Sequence, residues 1–166
     1  MIAFLSAAQR QGVMQTNVQT QLKFPLIAIS GIGEFDVHHS FETLTVTRAK
    51  KVRLGWYRDM KLITRDLQLY KVERATVLGG TGTCWGFSLT YSRRVKIKLD
   101  LAPPIKISLE ECRDLIVEAV SRAPHMWESQ VNGPSLAGWK RRIYEAADLD
   151  AIITIVEEVV GSEIAA

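Results

Sequence analysis

The hydrophobic period changes once along this chain, and that change constrains the fold more than any other feature. Up to Leu101, apolar residues recur mainly at every second position, as in β-strands with one buried face. Pro103-Pro104 interrupts the pattern, because proline donates no ladder hydrogen bond and restricts the residue before it. From Ser108 onward the apolar spacing is helical. The sequence therefore predicts an α+β fold: a curved, mainly antiparallel sheet of about five to seven strands, followed by two or three C-terminal helices packed on one face.

The length and composition favour one globular domain. The 166 residues are 47% hydrophobic and 23% charged, which is enough apolar material for an ordinary core. We expect a single domain over residues 1–166. It would comprise an N-terminal docking segment and Gln-rich stretch (1–22), a β-rich basic part (23–102) and a helical acidic part (105–161).

Two stretches predict strands with a charged outer face. At 94–101, Val95, Ile97, Leu99 and Leu101 alternate with Arg94, Lys96, Lys98 and Asp100. At 51–56, Val52, Leu54 and Trp56 alternate with Lys51, Arg53 and Gly55. A third alternation begins at Phe35 and reverses its parity before Leu44, which predicts a β-bulge near Thr43. Gly79-Gly80-Thr81-Gly82 predicts a turn between strands.

The helices are predicted from their caps and apolar stripes. Ser108 and Glu111 have the spacing of a capping box, in which each side chain bonds a backbone amide at the helix start. Ser135 and Asp148 are suitable caps for a second and a third helix, and Gly161 is a suitable end for the third. Apolar residues at helical spacing follow each cap and would face the sheet.

Charge is distributed unevenly along the chain. Residues 48–98 carry thirteen Lys/Arg against three Asp/Glu, whereas residues 105–166 carry six against eleven. Since side chains two apart in a strand share a face, Arg94, Lys96 and Lys98 should form one row, and Lys51 and Arg53 a second. If the two strands are adjacent, five cations lie on one surface. Such a surface suits an anionic partner, although solvation of an open sheet face explains it as well.

The tryptophans offer an alternative site. Trp56, Trp85 and Trp139 are candidates for a pocket or for stacking platforms. In that alternative, the protein binds a small molecule in a Trp-lined pocket between the sheet and the helices. Large aromatics are more often core residues, so this interpretation competes with simple packing.

The residues give little support for catalysis or for a resident metal. The glycine-rich stretch from Gly79 lacks the lysine and the following helix of a phosphate loop. Cys84 has no predicted base beside it. His38 and His39 are adjacent and so point to opposite faces of a strand, with His39 expected in the core and His38 on a solvated face. We therefore predict no catalytic residues, no metal and no cofactor, and an enzyme built on the His38 face or on Cys84 is left as a third hypothesis.

The resulting hypothesis is a non-enzymatic binding module. Lys51, Arg53, Arg94, Lys96 and Lys98 would engage an anionic partner, either a nucleic acid, an acidic protein or a second copy of the chain as a homodimer. With two cysteines and an apolar start too short to span a bilayer, we expect a cytoplasmic protein without a membrane partner. The sequence leaves the ligand and the oligomeric state open.

Overall fold

The computed structural model describes residues 22–80, 94–128 and 133–163. The strands are β1 (Leu26–Ile29), β2 (Phe35–His38), β3 (Val46–Arg48), β4 (Lys61–Thr64), β5 (Gln68–Gly80), β6 (Arg94–Leu101) and β7 (Ile105–Lys106). The helices are α1 (Phe41–Thr45), α2 (Ala49–Arg53), α3 (Leu109–Arg122), α4 (Pro124–Glu128), α5 (Leu136–Glu145) and α6 (Leu149–Glu163). Among these helices, none combines the length and the apolar character that a membrane crossing requires.

The strands form one curled antiparallel sheet in the order β2-β1-β4-β5-β6-β3, and β7 pairs with the start of β5. The curl depends on β5, whose 13 residues pair with β4 at one end and with β6 along the rest. Register shifts between Val72 and Arg74 and between Val77 and Gly79 interrupt its ladder with β6. Bulges of this kind bend a strand and increase its twist, so β5 can pair with β4 in one half of the sheet and with β6 in the other.

Two hydrophobic cores lie on opposite faces of the sheet. The helical core contains the buried residues of α3–α6 together with Ile27, Ile29, Phe35 and Ile63 of the sheet. The inner core fills the concave side with Leu26, Ala28, Leu62, Tyr70, Val72, Val95, Ile97 and Leu99, and is closed by Leu44, Trp56, Tyr57 and Met60. β1 belongs to both cores, which explains why all four of its residues are buried.

The four C-terminal helices cover only part of the outer face. Their buried sheet partners come from β1, β2 and β4, Leu69 at the start of β5 packs against them, and no residue of β3 or β6 belongs to the helical core. These helices therefore leave uncovered the outer face of β6, of β3 and of the rest of β5. The predicted α+β architecture is confirmed, and the open part of the sheet is the part with the most basic sequence.

Several local predictions are wrong. Residues 51–56 are not a strand: α2 ends at Arg53, and Leu54 is 74% exposed instead of buried. In place of a bulge near Thr43 the chain forms α1, whose N-cap Ser40 and third residue Thr43 make a reciprocal capping box. The predicted turn does not include Gly79 and Gly80, since they belong to β5 and pair with Lys96 and Val95, while Thr81 and Gly82 lie outside the described residues.

The predicted N-caps Ser108, Ser135 and Asp148 are confirmed, but the predicted helix end at Gly161 is wrong, because α6 continues to Glu163. Ser108 accepts a hydrogen bond from the Glu111 amide, and the Glu111 carboxylate accepts one from the Ser108 amide. Ser135 caps α5 by accepting from the amide of Gly138. The predicted features at Cys84, at Trp85 and before residue 22 lie outside the described residues.

Candidate basic nucleic-acid interface

β6 has the predicted alternation of buried and exposed residues. Val95, Ile97 and Leu99 are buried in the inner core. Arg94 and Lys96 are exposed, and the side chain of Lys98 is 36% exposed. The strand thus points its cationic row at solvent, on the side that the helices leave open.

A second set of cations lies beside this row, but it differs from the predicted one. Arg48 of β3 is the Cα partner of Arg94, so the two arginines share a face. On the other side of β6, Arg74 of β5 is the partner of Asp100. We use the name basic face for the five cations that these three strands bring together: Arg48, Arg74, Arg94, Lys96 and Lys98.

Lys51 and Arg53 are not part of this face. Both belong to α2, because the chain leaves β3 in a short helix instead of continuing as a strand. The Lys51 ammonium lies 3.0 Å from a carboxylate oxygen of Asp36 and 4.3 Å from the centre of the Trp56 ring. The prediction that Lys51 and Arg53 form a strand row beside β6 is therefore wrong.

The basic face has little internal charge compensation. Within the described ranges, Arg48, Arg74, Arg94 and Lys96 form no ion pair, while Lys98 lies 3.4 Å from Asp100. The directly opposed pair Arg48 and Arg94 is unfavourable in itself, because like charges that face each other across a ladder destabilise it. An anion placed over this pair would remove that cost.

An open groove of about 340 Å³ adjoins the basic face. Lys96 and Lys98 contribute to its wall, together with the apolar side chains of Phe41 and Leu78. Phe41 is 38% exposed and Leu78 is 66% exposed, so both present apolar surface beside the two lysines. Glu42 is the acidic residue of the lining. The groove combines fixed cations with a phenyl ring accessible from solvent.

Trp139 does not line a ligand pocket between the sheet and the helices. It is 3% exposed, its ring centre is 5.6 Å from that of Trp127, and its Nε1 donates to the Trp127 carbonyl oxygen at 3.1 Å. The guanidinium of Arg142 lies over its ring at 4.7 Å. Trp139 is therefore a packing residue of the helical core. Trp56 is also buried, but it borders an open cavity of about 460 Å³ beside α2.

The two histidines have exchanged the roles predicted for them. His38 is buried at 8% exposure beside Asp36, and burial lowers its pKa. His39 is exposed, with its Nε2 2.9 Å from a carboxylate oxygen of Glu157 on α6. β2 ends at His38, so His39 lies beyond the strand and is exposed, while α1 covers the face on which His38 lies. A neutral, enclosed His38 is a structural group here.

Burial keeps two potential nucleophiles, Cys112 and Tyr57, in their protonated forms. Cys112 is fully buried in α3, and burial raises the pKa of its thiol to about 12, so it stays protonated. Burial likewise raises the pKa of the Tyr57 hydroxyl to about 12. No group of three His, Cys, Asp or Glu side chains with metal-binding geometry occurs in the part of the chain that the structure describes.

Sequence reasoning missed Arg48, Arg74 and Phe41. Val46 and Arg48 do alternate, which is a weak strand signal, but only the pairing of β3 with β6 places Arg48 opposite Arg94. Arg74 follows a register shift that obscures the period of β5. Comparison with protein-family models, curated proteins and solved structures finds no match to this chain.

Proposed function

We propose that this protein is a non-enzymatic binding module whose basic face holds the sugar-phosphate backbone of a nucleic acid. The observation that carries the proposal is the opposed pair Arg48 and Arg94, with Lys96 next to it and no ion pair to any of the three among the described residues. An ordinary solvated sheet face gains nothing from opposed like charges. A polyanion turns that arrangement into a favourable one, because each neutralised phosphate releases condensed counterions.

The spacing of the cations supports a polymer with repeated charges. Along β6, neighbouring cations are separated by about 7 Å, and across the ladder the Cβ atoms of opposed residues are about 5 Å apart. The face is thus a two-dimensional array, with Arg48 and Arg74 on either side of the β6 row. A single small anion would use one or two of these cations, whereas a phosphate backbone can contact most of them.

The groove favours a single strand over a duplex. An unpaired base has a free face that can stack on an exposed aromatic ring, and such stacking contributes about 1–3 kcal/mol per base. Phe41 offers that ring beside Lys96 and Lys98, so one nucleotide could place its base on the phenyl group and its phosphate on the lysines. A duplex keeps its bases stacked on one another and could use only the cations.

Charge reversal tests this proposal against the alternative of a merely solvated face. We expect Lys96→Glu to weaken binding of a fluorescein-labelled single-stranded oligonucleotide by at least about tenfold in fluorescence anisotropy. Arg141→Glu changes the net charge equally, but Arg141 is an exposed residue of α5 and lies 3.8 Å from Glu145. This control should retain the affinity of the unmodified protein.

Further binding measurements distinguish a single strand from a duplex and from an acidic polypeptide. Phe41→Ala should lower the affinity for the single strand about fivefold or more and leave duplex affinity unchanged. Equal effects of Lys96→Glu and Arg141→Glu would contradict a specific basic face. Binding of polyglutamate, but not of the oligonucleotide, would replace nucleic acid with an acidic polypeptide as the partner.

A further inference from the structure

A second site lies apart from the basic face, in the open cavity beside α2. The cavity has a volume of about 460 Å³ and is formed by the turn between β1 and β2, by the end of α2 and by residues 54–59. Volumes of 300–1,000 Å³ are usual for small-molecule sites. Its lining shares no residue with the groove beside Lys96 and Lys98.

The turn that forms one wall is held in place by backbone contacts. A Cβ atom on Gly31 would lie 2.6 Å from the carbonyl oxygen of Arg58, and one on Gly33 would lie 2.7 Å from that of Ala119. Gly33 also has a φ of +91°, which a side chain disfavours. The Arg122 guanidinium donates to the Gly31 carbonyl oxygen at 3.1 Å. This wall of the cavity is therefore preformed in the absence of a ligand.

Trp56 connects this wall to the opposite one. Its indole Nε1 donates to a carboxylate oxygen of Glu34 at 2.8 Å, and the Lys51 ammonium lies over the ring. Glu34 is thereby already engaged, and Asp59, the other carboxylate in the lining, lies 3.4 Å from the ammonium of Lys71. Both negative groups of the cavity thus have partners within the protein.

Among the cations of the lining, Lys51 is paired with Asp36, whereas two arginines have no such partner. Arg53 and Arg58 are exposed, and their guanidinium groups form no hydrogen bond or ion pair with the residues that the structure describes. Ile32 is 62% exposed and Leu54 is 74% exposed, so apolar surface lies next to these two guanidinium groups. Guanidinium groups bind carboxylates and phosphates in a bidentate geometry.

From this arrangement we infer that the cavity is a binding site for a small organic anion. The ligand has an apolar body that covers Ile32 and Leu54, and a carboxylate or phosphate group that pairs with Arg53 and Arg58. The site does not require the nucleic-acid function proposed above, because it uses other elements of the fold and a ligand of another class.

Titration with anilinonaphthalene sulfonate, a fluorescent organic anion with an aromatic body, tests the site directly. We expect the double variant Arg53→Gln/Arg58→Gln to weaken binding of this probe at least about tenfold, since charge-assisted hydrogen bonds contribute that much or more. Leu54→Ser should also weaken binding, whereas Leu78→Ser, at a similarly exposed leucine in the other groove, should not. All four positions are exposed, so circular dichroism should show an unchanged fold.

Competition identifies the head group. Displacement of the probe by indole acetate but not by phenyl phosphate assigns a carboxylate ligand, and the reverse result assigns a phosphate monoester. The inference is overturned if neither compound competes. It is equally overturned if the arginine double variant binds the probe as tightly as the unmodified protein, or if Leu78→Ser has the larger effect.

Discussion

Neutralising either arginine of the opposed pair should stabilise the protein. Arg48 and Arg94 are direct ladder partners on an exposed face and form no ion pair within the described residues. For a separation of about 7 Å between two opposed guanidinium groups in water, Coulomb's law gives a repulsion of about 0.6 kcal/mol. Screening reduces this to about 0.5 kcal/mol at 10 mM salt and to less than about 0.1 kcal/mol at 1 M.

A double-mutant cycle isolates that repulsion. Arg48→Gln and Arg94→Gln should each raise the free energy of unfolding by about 0.5 kcal/mol at 10 mM salt, or about 1–2 °C in Tm. The double variant should gain scarcely more than either single variant, because the first substitution already removes the pair. Glutamine keeps most of the side-chain volume, and the Arg48 side chain makes no cap hydrogen bond that glutamine would lose.

The assay is urea unfolding followed by circular dichroism at 10 mM and 1 M salt. Arg141→Gln is the matched control, and it should bring no gain because it removes a cation that lies 3.8 Å from Glu145. The reasoning is refuted if the single variants are less stable than the unmodified protein at low salt. Fully additive gains that persist at 1 M salt would also refute it, since they would not come from charge repulsion between the two residues.

Three further predictions concern the scaffold. Burial lowers the pKa of His38 below 6.5, so as the pH falls the unfolded chain binds a proton at this residue before the folded protein does. The free energy of unfolding should therefore decrease as the pH drops through 6.5 towards the pKa of the folded state. In urea titrations at each pH, His38→Asn should reduce this dependence of the free energy on pH. Ser108→Ala should cost about 1 kcal/mol through loss of the capping box, whereas Ser121→Ala, at an exposed residue of the same helix, should cost much less in the same assay. Trp127→Ala should cost about 3–5 kcal/mol, because Trp127 is fully buried among aromatic rings in the helical core; a loss below 1 kcal/mol would mean that this core is misplaced.

The sequence predicts those elements whose local pattern and tertiary environment agree. β6 alternates because one of its faces is buried in the inner core and the other is open. α3 begins at Ser108 because the capping box satisfies its first amides without help from the rest of the fold. For such segments, the residues alone specify both the type of element and its orientation.

The errors occur where tertiary structure decides between two patterns. Six residues from Lys51 to Trp56 fit a period of two, but Ala49, Lys50 and Lys51 are also good helix formers, and so short a segment is ambiguous. The chain must cross here from β3, at one edge of the sheet, to β4 in its middle, and α2 with its following turns makes that crossing. His38 is buried because α1 covers it, and a sequence period of two does not predict this tertiary contact.

The basic face was only half predictable for the same reason. The alternation of residues predicts that Arg94, Lys96 and Lys98 form one row. Which strands lie next to that row depends on the strand order of the sheet, which the alternation does not give. The order β5-β6-β3 supplies Arg74 and Arg48 from residues distant in sequence. The groove beside them depends on α1, which occupies the segment where the alternation predicts a bulged strand.

The salt dependence of oligonucleotide binding shows whether the basic face contacts phosphates. If four to five phosphates contact the basic face, a plot of log K against log salt concentration should have a slope of about −3 for a single strand. Lys96→Gln should reduce the magnitude of that slope by about 0.7, and Arg141→Gln should leave it unchanged. A slope near zero, or a slope that Lys96→Gln does not alter, would contradict a phosphate-binding role for the basic face.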